Sequence, residues 1–221
     1  MNEKQRAGEE AANYVQNGMI VGLGTGSTVY WTILEIARMV KEGLDIKGVA
    51  TSTNTEVLAR ENGIPLLSLE EVSSIDLTID GADELTEDLT LIKGGGGALL
   101  REKIIAYHST HMIIVADSNK FVKKLGTFPL PVEIVPFGYL KTINALKKFG
   151  CQTTIRKKEG SFYVTDNGNY IVDCQFGEID YPSTLHDNLN QLPGVVDNGL
   201  FINYAAKAII GQENTITYVE K

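Results

Sequence analysis

Short apolar runs alternate with longer amphipathic stretches through the first half of the chain. Met19–Gly22, Ile46–Ala50, Ile64–Leu67, Ile75–Ile79 and Met112–Asp117 are each a few residues of nearly continuous apolar character. Runs of that length predict strands buried on both faces. Between them, apolar residues recur three and four positions apart. This spacing predicts helices over residues 3–16, Ser27–Lys41, Thr53–Asn62 and Ala98–Tyr107. The second of these has Val29, Ile33, Ile36, Ala37 and Val40 on one face. Strands that alternate with helices predict an α/β fold with an open, parallel, Rossmann-like sheet.

The pattern changes at TFPLPVEIVP, residues 127–136, where three prolines fall within ten residues. That density predicts a crossing between domains. A helix is expected at Tyr139–Phe149, then β-rich segments around CQTTIR and FYVTDNGNYIVD with an Asp-Asn-Gly turn. A helix near Leu185–Leu192 and the run GLFI complete what reads as a smaller inserted α+β domain. The expected organisation is a catalytic α/β domain from residues 1–127 and 200–221, and a small domain from residues 128–199. The final β-branched segment, TITYV, is expected to return to the main sheet.

Composition narrows the classes. The 221 residues are 43% hydrophobic and 22% charged, with a formal net charge of −8. An acidic chain is a poor non-specific binder of nucleic acid or anionic membrane. No apolar run reaches the length of a membrane helix, and the first residues, MNEKQRAGEEAANYV, lack the apolar core of a signal peptide. Cys151 and Cys174 form no CxxC pair and read as reduced thiols of a cytoplasmic protein. Three scattered histidines, with no HExxH and no Cys/His cluster, predict no metal site.

Four loops at the expected carboxyl ends of strands carry candidate chemistry. In GLGTGST, Gly22–Thr28, glycines lead into Ser27 and Thr28 at a helix start. Free amides, hydroxyls and the positive end of the helix dipole make an anion site there. The loop lacks the lysine of a Walker motif and the third glycine of a dinucleotide fingerprint, and no acid follows the next strand. A small phosphate ester therefore fits better than a dinucleotide; a plain capped turn is the other reading. The loop TSTNT, Thr51–Thr55, is a helix cap with hydroxyls to spare. DGADE places Asp80, Asp83 and Glu84 directly after a buried strand. They read as acid/base or hydroxyl-binding groups, with helix capping or a divalent ion as alternatives.

The fourth loop is LIKGGGGALLREK, Leu91–Lys103. On a helix from Ala98, the residues Ala98, Leu99, Glu102, Ile105 and Ala106 share one face, apolar except for Glu102. A carboxylate there is expected to be partly desolvated, with a raised pKa suited to proton transfer. A first-turn glutamate favoured by the helix dipole is the alternative. Four successive glycines make sense if a small ligand must touch bare backbone amides able to hold an oxyanion.

Together, GLGTGST, TSTNT, DGADE, KGGGGALLREK and ADSNK (116–120), in this order, resemble ribose-5-phosphate isomerase of the A type. PLPVEIVP, VTDNGNYIVD and LPGVV extend the resemblance along the whole chain; Gly97 and Leu100 depart mildly from the family pattern. The resemblance implies interconversion of D-ribose 5-phosphate and D-ribulose 5-phosphate in the non-oxidative pentose phosphate pathway, with no metal or organic cofactor. It implies that Glu102 transfers the proton and that Lys93 with the amides of Gly94, Gly95 and Gly96 stabilises the enediolate. Asp80 and Asp83 are implied to contact substrate hydroxyls, with Gly81 and Ala82 between them and Asp80 aiding ring opening. Thr25, Gly26, Ser27, Thr28 and Lys120 are implied to bind substrate near the phosphate, joined by Lys4. It also implies a homo-oligomer, dimer or tetramer, with a sugar phosphate as its small-molecule partner.

Two other readings compete. A non-catalytic sugar-phosphate-sensing module would share the fold, but about twenty residues before the first strand leave little room for a DNA-binding domain. A related deaminase or lactonase would need a catalytic histidine near these loops, and His108 and His111 are expected at the far end of a helix.

Overall fold

The computed structural model describes residues 2–221. In chain order the elements are α1 (Glu3–Ala12), β1 (Ile20–Leu23), α2 (Val29–Lys41), β2 (Lys47–Ala50), α3 (Thr53–Glu61), β3 (Ile75–Gly81), β4 (Glu84–Leu85), β5 (Leu91–Ile92), α4 (Leu99–Tyr107) and β6 (Ser109–Asp117). They continue with β7 (Leu130–Ile134), α5 (Tyr139–Lys147), β8 (Gln152–Ile155), β9 (Lys157–Lys158), β10 (Ser161–Phe162), β11 (Tyr170–Gln175), α6 (Pro182–Asn190), β12 (Val195–Asn198), β13 (Leu200–Phe201), β14 (Lys207–Gly211) and β15 (Ile216–Glu220).

The main sheet has the order β15-β14-β6-β3-β1-β2. All pairs are parallel except β14 with the edge strand β15. The expected open α/β sheet is therefore present, and TITYV does return to it. Alternate residues of β6 face opposite cores: Ile113 and Val115 pack with α1 and α2, Met112, Ile114 and Ala116 with Leu85, Leu91 and Phe201. Such two-sided burial explains why these strands read as continuous apolar runs. On α2 the buried stripe is Val29, Thr32, Ile33, Ile36 and Ala37, the helical spacing read from the sequence.

A second, antiparallel sheet, β12-β7-β11-β8, packs with α5 and α6 around Leu130, Val132, Ile134, Leu146, Val172 and Leu189. This is the small α+β unit that the sequence pattern predicts, with one correction: GLFI supplies β13 of a different sheet, and β12 (Val195–Asn198) takes the last place here. A third, three-stranded sheet, β13-β5-β4, adjoins the candidate site.

Three expectations are corrected. Ile64–Leu67 forms no strand but a single bridge, Leu66 to Gly48; Pro65 has no N–H with which to extend a ladder. Residues 127–136 are not merely a crossing, because they contain β7, an interior strand of the second sheet. Pro131 is tolerated because its carbonyl accepts from Gly199 N (2.8 Å), just past the last β12 pair at Asn198. The missing N–H faces the same way as that carbonyl, so β11 loses no bond. The KAIIG strand, β14, was not anticipated; its short apolar run matches the other central strands. Helix bounds shift modestly: α1 stops at Ala12, α2 starts at Val29 and α6 starts at Pro182.

Candidate active site

A cleft opens at the carboxyl ends of β1, β3 and β6. β2 lies on one side of β1 and β3 on the other, so this is the point where the sheet order reverses. Thr25, Gly26, Ser27 and Thr28 line it from the β1–α2 loop, and Gly81, Ala82 and Asp83 from the end of β3. Lys93, Gly94, Gly95, Gly96 and Glu102 form the opposite wall, with Lys4, Asp117 and Lys120 at the rim. Of the acids and binding residues expected at the site, Asp80 and Glu84 are not on this lining.

Asp80 is fully buried behind the wall. Its Oδ1 accepts from Thr25 N (3.0 Å) and Gly81 N (2.7 Å), and its Oδ2 lies 3.0 Å from Lys93 Nζ. The expected direct contact with a substrate hydroxyl is thus replaced, in this structure, by a grip on the first loop and on Lys93. Gly24 permits the close approach, since a Cβ there would stand 2.2 Å from Asp80 Oδ1.

Lys93 is buried to 2% exposure and donates to the Gly81 carbonyl. Burial alone would lower its pKa, but the carboxylates of Asp80, Glu102 and Asp83 outweigh it and hold the ammonium above the ordinary lysine value. Glu102, one turn into α4, is 3% exposed, with Oε1 3.5 Å from Lys93 Nζ. Its Oε2 is buried and has no hydrogen-bond partner among the described residues. Burial pushes its pKa up, Lys93 opposes, and the charges of Asp80 and Asp83 add to the rise, to about 8. Glu102 is therefore the desolvated carboxyl expected from the helix face.

Asp83 accepts from Gly95 N at 2.6 Å. Burial raises its pKa, against the Gly95 amide and the charges of Lys93, Lys120 and Arg156. Glu84 turns the other way, as the next residue of an extended segment does. It accepts from Gly126 N (2.6 Å) and Phe128 N (2.7 Å), so it ties down the loop before β7. The reading of Glu84 as an acid/base or hydroxyl-binding group is corrected accordingly. The three DGADE acids do not converge, and no group of three or more His, Cys, Asp or Glu among the described residues has the arrangement of a metal ligand set.

At the start of α2, Ser27 and Thr28 spend no hydroxyl on the helix amides. Thr28 is the N-cap yet makes no capping hydrogen bond, and Ser27 Oγ accepts only from Lys4 Nζ (2.9 Å). The earliest bond of this turn runs from Tyr30 N to Gly26 O (3.0 Å), so the amides before it have no helical acceptor. A plain capped turn is not what is built here. Thr25 Oγ1 joins a buried hydroxyl cluster, at 2.8 Å from Thr51 Oγ1, 2.8 Å from Ser52 Oγ and 3.0 Å from Thr55 Oγ1. Thr55 and Thr51 donate onward to the carbonyls of Gly24 and Leu23. The spare hydroxyls of TSTNT thus anchor the first loop.

Each glycine of the second loop has its own reason. Gly94 and Gly97 hold φ of 99° and 84°, and a Cβ on Gly95 would meet Asp83 Oδ1 at 2.4 Å. Gly96 alone has room, 3.5 Å from Thr25 Cγ2 across the cleft. Residues that sequence reasoning missed also gather here. Asp117, inside the quoted ADSNK motif, sits on the rim with its Oδ2 4.0 Å from Lys4 Nζ. Arg156, just past β8 of the second sheet, and Tyr163, just past β10, contact the glycine loop, and no local signal marks them. His108 caps the far end of α4 and His111 lies toward the start of β6, away from the cleft.

A parallel sheet with its cleft at the switch point, an open helix start and a buried carboxyl–lysine pair defines an α/β enzyme. The model of the family described as ribose 5-phosphate isomerase A (phosphoriboisomerase A) matches residues 47–215. The ribose-5-phosphate isomerase A of Bacillus mycoides (strain KBAB4) is 55% identical over 217 residues, covering 98% of this chain and 98% of its own. The solved structure of a D-ribose-5-phosphate isomerase in complex with phospho-erythronic acid matches with a TM-score of 0.97 at 38% identity, covering 100% of both chains. The ribose 5-phosphate isomerase from Plasmodium falciparum matches with a TM-score of 0.96 at 43% identity, covering 99% of this chain and 97% of that one. The chain belongs to the ribose 5-phosphate isomerase A family.

Proposed function

We propose that this chain interconverts D-ribose 5-phosphate and D-ribulose 5-phosphate through an enediolate, with Glu102 as the proton-transferring base. The observation that carries the reading is the buried Oε2 of Glu102, without a protein partner, on a cleft wall shared with the Lys93 ammonium. The substrate phosphate lies at the start of α2, held by Ser27, Thr28, Lys4 and Lys120. Glu102 takes the C2 proton of the open-chain aldose, which requires a base of raised pKa. Negative charge develops on the substrate oxygens, where Lys93 and the amides of the glycine loop face it in a water-poor site. As the hydroxyl proton passes from O2 to O1 of the enediolate, Glu102 returns the carbon-bound proton to C1, and both hydrogens have moved within one molecule without a redox partner. Asp83 orients substrate hydroxyls, and Asp80 acts through Lys93 and the Thr25 loop.

The buried free thiols of Cys151 and Cys174 fit a reducing compartment. With the family resemblance, they support a cytoplasmic homo-oligomer, dimer or tetramer, in the pentose phosphate pathway. The largely separate cores support a division into residues 1–127 with 200–221 and residues 128–199.

The decisive variant is Glu102→Gln, which keeps the shape and removes the base. It should bind ribose 5-phosphate in calorimetry, lose at least about 10³-fold in turnover, and stop exchanging the C2 hydrogen with solvent deuterium in NMR. Retained exchange with weakened binding would make Glu102 structural and move the base to Asp83.

A further inference from the structure

The glycine loop is gripped from behind by the second sheet. Arg156 follows β8, sixty-two residues beyond Gly94, and its Nη1 donates to Gly94 O (2.8 Å) and Gly95 O (3.1 Å). Its Nε and Nη2 are both taken by the carboxylate of Asp173, with Nε 3.0 Å from Oδ2. Asp173 lies on β11, the strand paired with β8. The Tyr163 hydroxyl donates to Gly96 O at 3.3 Å. The carbonyls of three successive glycines are therefore drawn to donors on one side.

In a planar trans peptide the C=O and N–H point in opposite directions. A carbonyl of Gly94 held by Arg156 aims the Gly95 N–H away from it, and Asp83 Oδ2 accepts that N–H at 2.6 Å. A carbonyl of Gly95 held by Arg156 likewise aims the Gly96 N–H toward the cleft side. The Gly96 amide has no acceptor among the described residues, and Gly96 lines the cleft. Within the run only one turn bond, Gly97 N to Gly94 O at 3.0 Å, favours an orientation, and it leaves the Gly95 carbonyl and the Gly96 amide free to flip at little steric cost. A guanidinium fork, planar and with five donors, can hold two carbonyls and a carboxylate at once; a lysine ammonium cannot reproduce that geometry.

We propose that Arg156, locked by Asp173, is a positioning residue that fixes the peptide planes of the glycine loop so that its amides, above all that of Gly96, face the oxyanion formed in the cleft. This rests on the isomerase reading above. Arg156 is not on the cleft lining and acts only through the loop.

The test pairs Arg156→Lys with Asp173→Asn and Tyr163→Phe. Each is measured for kcat, KM, melting temperature and calorimetric affinity for two probes. The first probe is phospho-erythronic acid, whose carboxylate presents two anionic oxygens at the reacting end. The second is inorganic phosphate, which reports on the α2 site alone. Arg156→Lys should lower kcat and phospho-erythronic acid affinity by roughly tenfold or more, short of the about hundredfold expected for deleting a donor outright. Phosphate affinity should stay at the parent value in the folded variant. Asp173→Asn and Tyr163→Phe should show the same split with smaller size. Unchanged analogue affinity in all three variants overturns the proposal, and so does a parallel fall for both probes, which would mark the contacts as general scaffolding. A parent protein without isomerase turnover would overturn the proposed function instead, while the analogue-against-phosphate split would still decide the role of Arg156.

Discussion

The loop at residues 22–28 and the loop at residues 93–97 each press a glycine against a carboxylate, Gly24 on Asp80 and Gly95 on Asp83. They are anchored by different means. The first has its side-chain anchor in neutral hydroxyls, those of Thr51, Ser52 and Thr55, with one carboxylate, Asp80, accepting from its Thr25 amide. The second is held by charged groups: Asp83 on the cleft side and the Arg156–Asp173 pair behind it, with Lys93 at its root. A phosphate keeps its charge throughout an isomerisation, so a helix start and a few hydroxyls suit it. An enediolate is anionic only in passing, and stabilising it selectively requires a buried cation and amides that cannot reorient.

This contrast can be broken experimentally. The largest effect in the two loops is expected from Lys93→Ala. Loss of the buried ammonium should lower kcat about hundredfold, with much less change in KM, in steady-state kinetics on ribose 5-phosphate. A rise in KM at constant kcat would mean that the second loop serves ground-state binding. Next is the double change Ser27→Ala and Thr28→Ala. It should raise KM about tenfold or more with kcat little altered, since the loss of even one hydrogen bond to a charged group costs about 1.5 kcal/mol or more. A fall in kcat at constant KM would reverse the assignment of the loops.

The last effect concerns stability rather than turnover. Unfolded, Glu102 loses its proton near the ordinary value of 4.5; folded, it keeps it to about 8. Between those values the folded state binds more protons, so this carboxyl lowers stability progressively as pH rises. Glu102→Gln removes that dependence. Its melting temperature should match the parent near about pH 4.5 and exceed it by a growing margin toward about pH 8. A margin that is constant or shrinks with pH would show that the carboxyl is not held neutral, and the contrast between a neutral first loop and a charged second one would need redrawing.

Much of the cleft is legible in the chain because its signals are local. A glycine turn before Ser27 and Thr28, and a lone acid on the apolar face of α4, depend on residues within a turn or two. The failures were long-range. Asp83 and Glu84 look equivalent as letters, yet Glu84 belongs to the amides of Gly126 and Phe128, forty-two and forty-four positions away. Three prolines suggested a crossing where β7 runs through the second sheet, because proline statistics do not say which way a missing N–H will face.

By itself the sequence determined the alternation of elements, the parallel sheet, the family, and the loops that bear the chemistry, since periodicity, caps and motifs are properties of neighbouring residues. Only the tertiary structure decided that Asp80 sits behind Lys93 rather than on the cleft surface. It alone left Oε2 of Glu102 without a partner among the described residues and brought Arg156, beside the second sheet, onto the carbonyls of Gly94 and Gly95. Those outcomes depend on which surfaces meet when two sheets pack: the burial that raises the Glu102 pKa, and the carboxylates that keep Lys93 charged against its own burial, come together only once they have met.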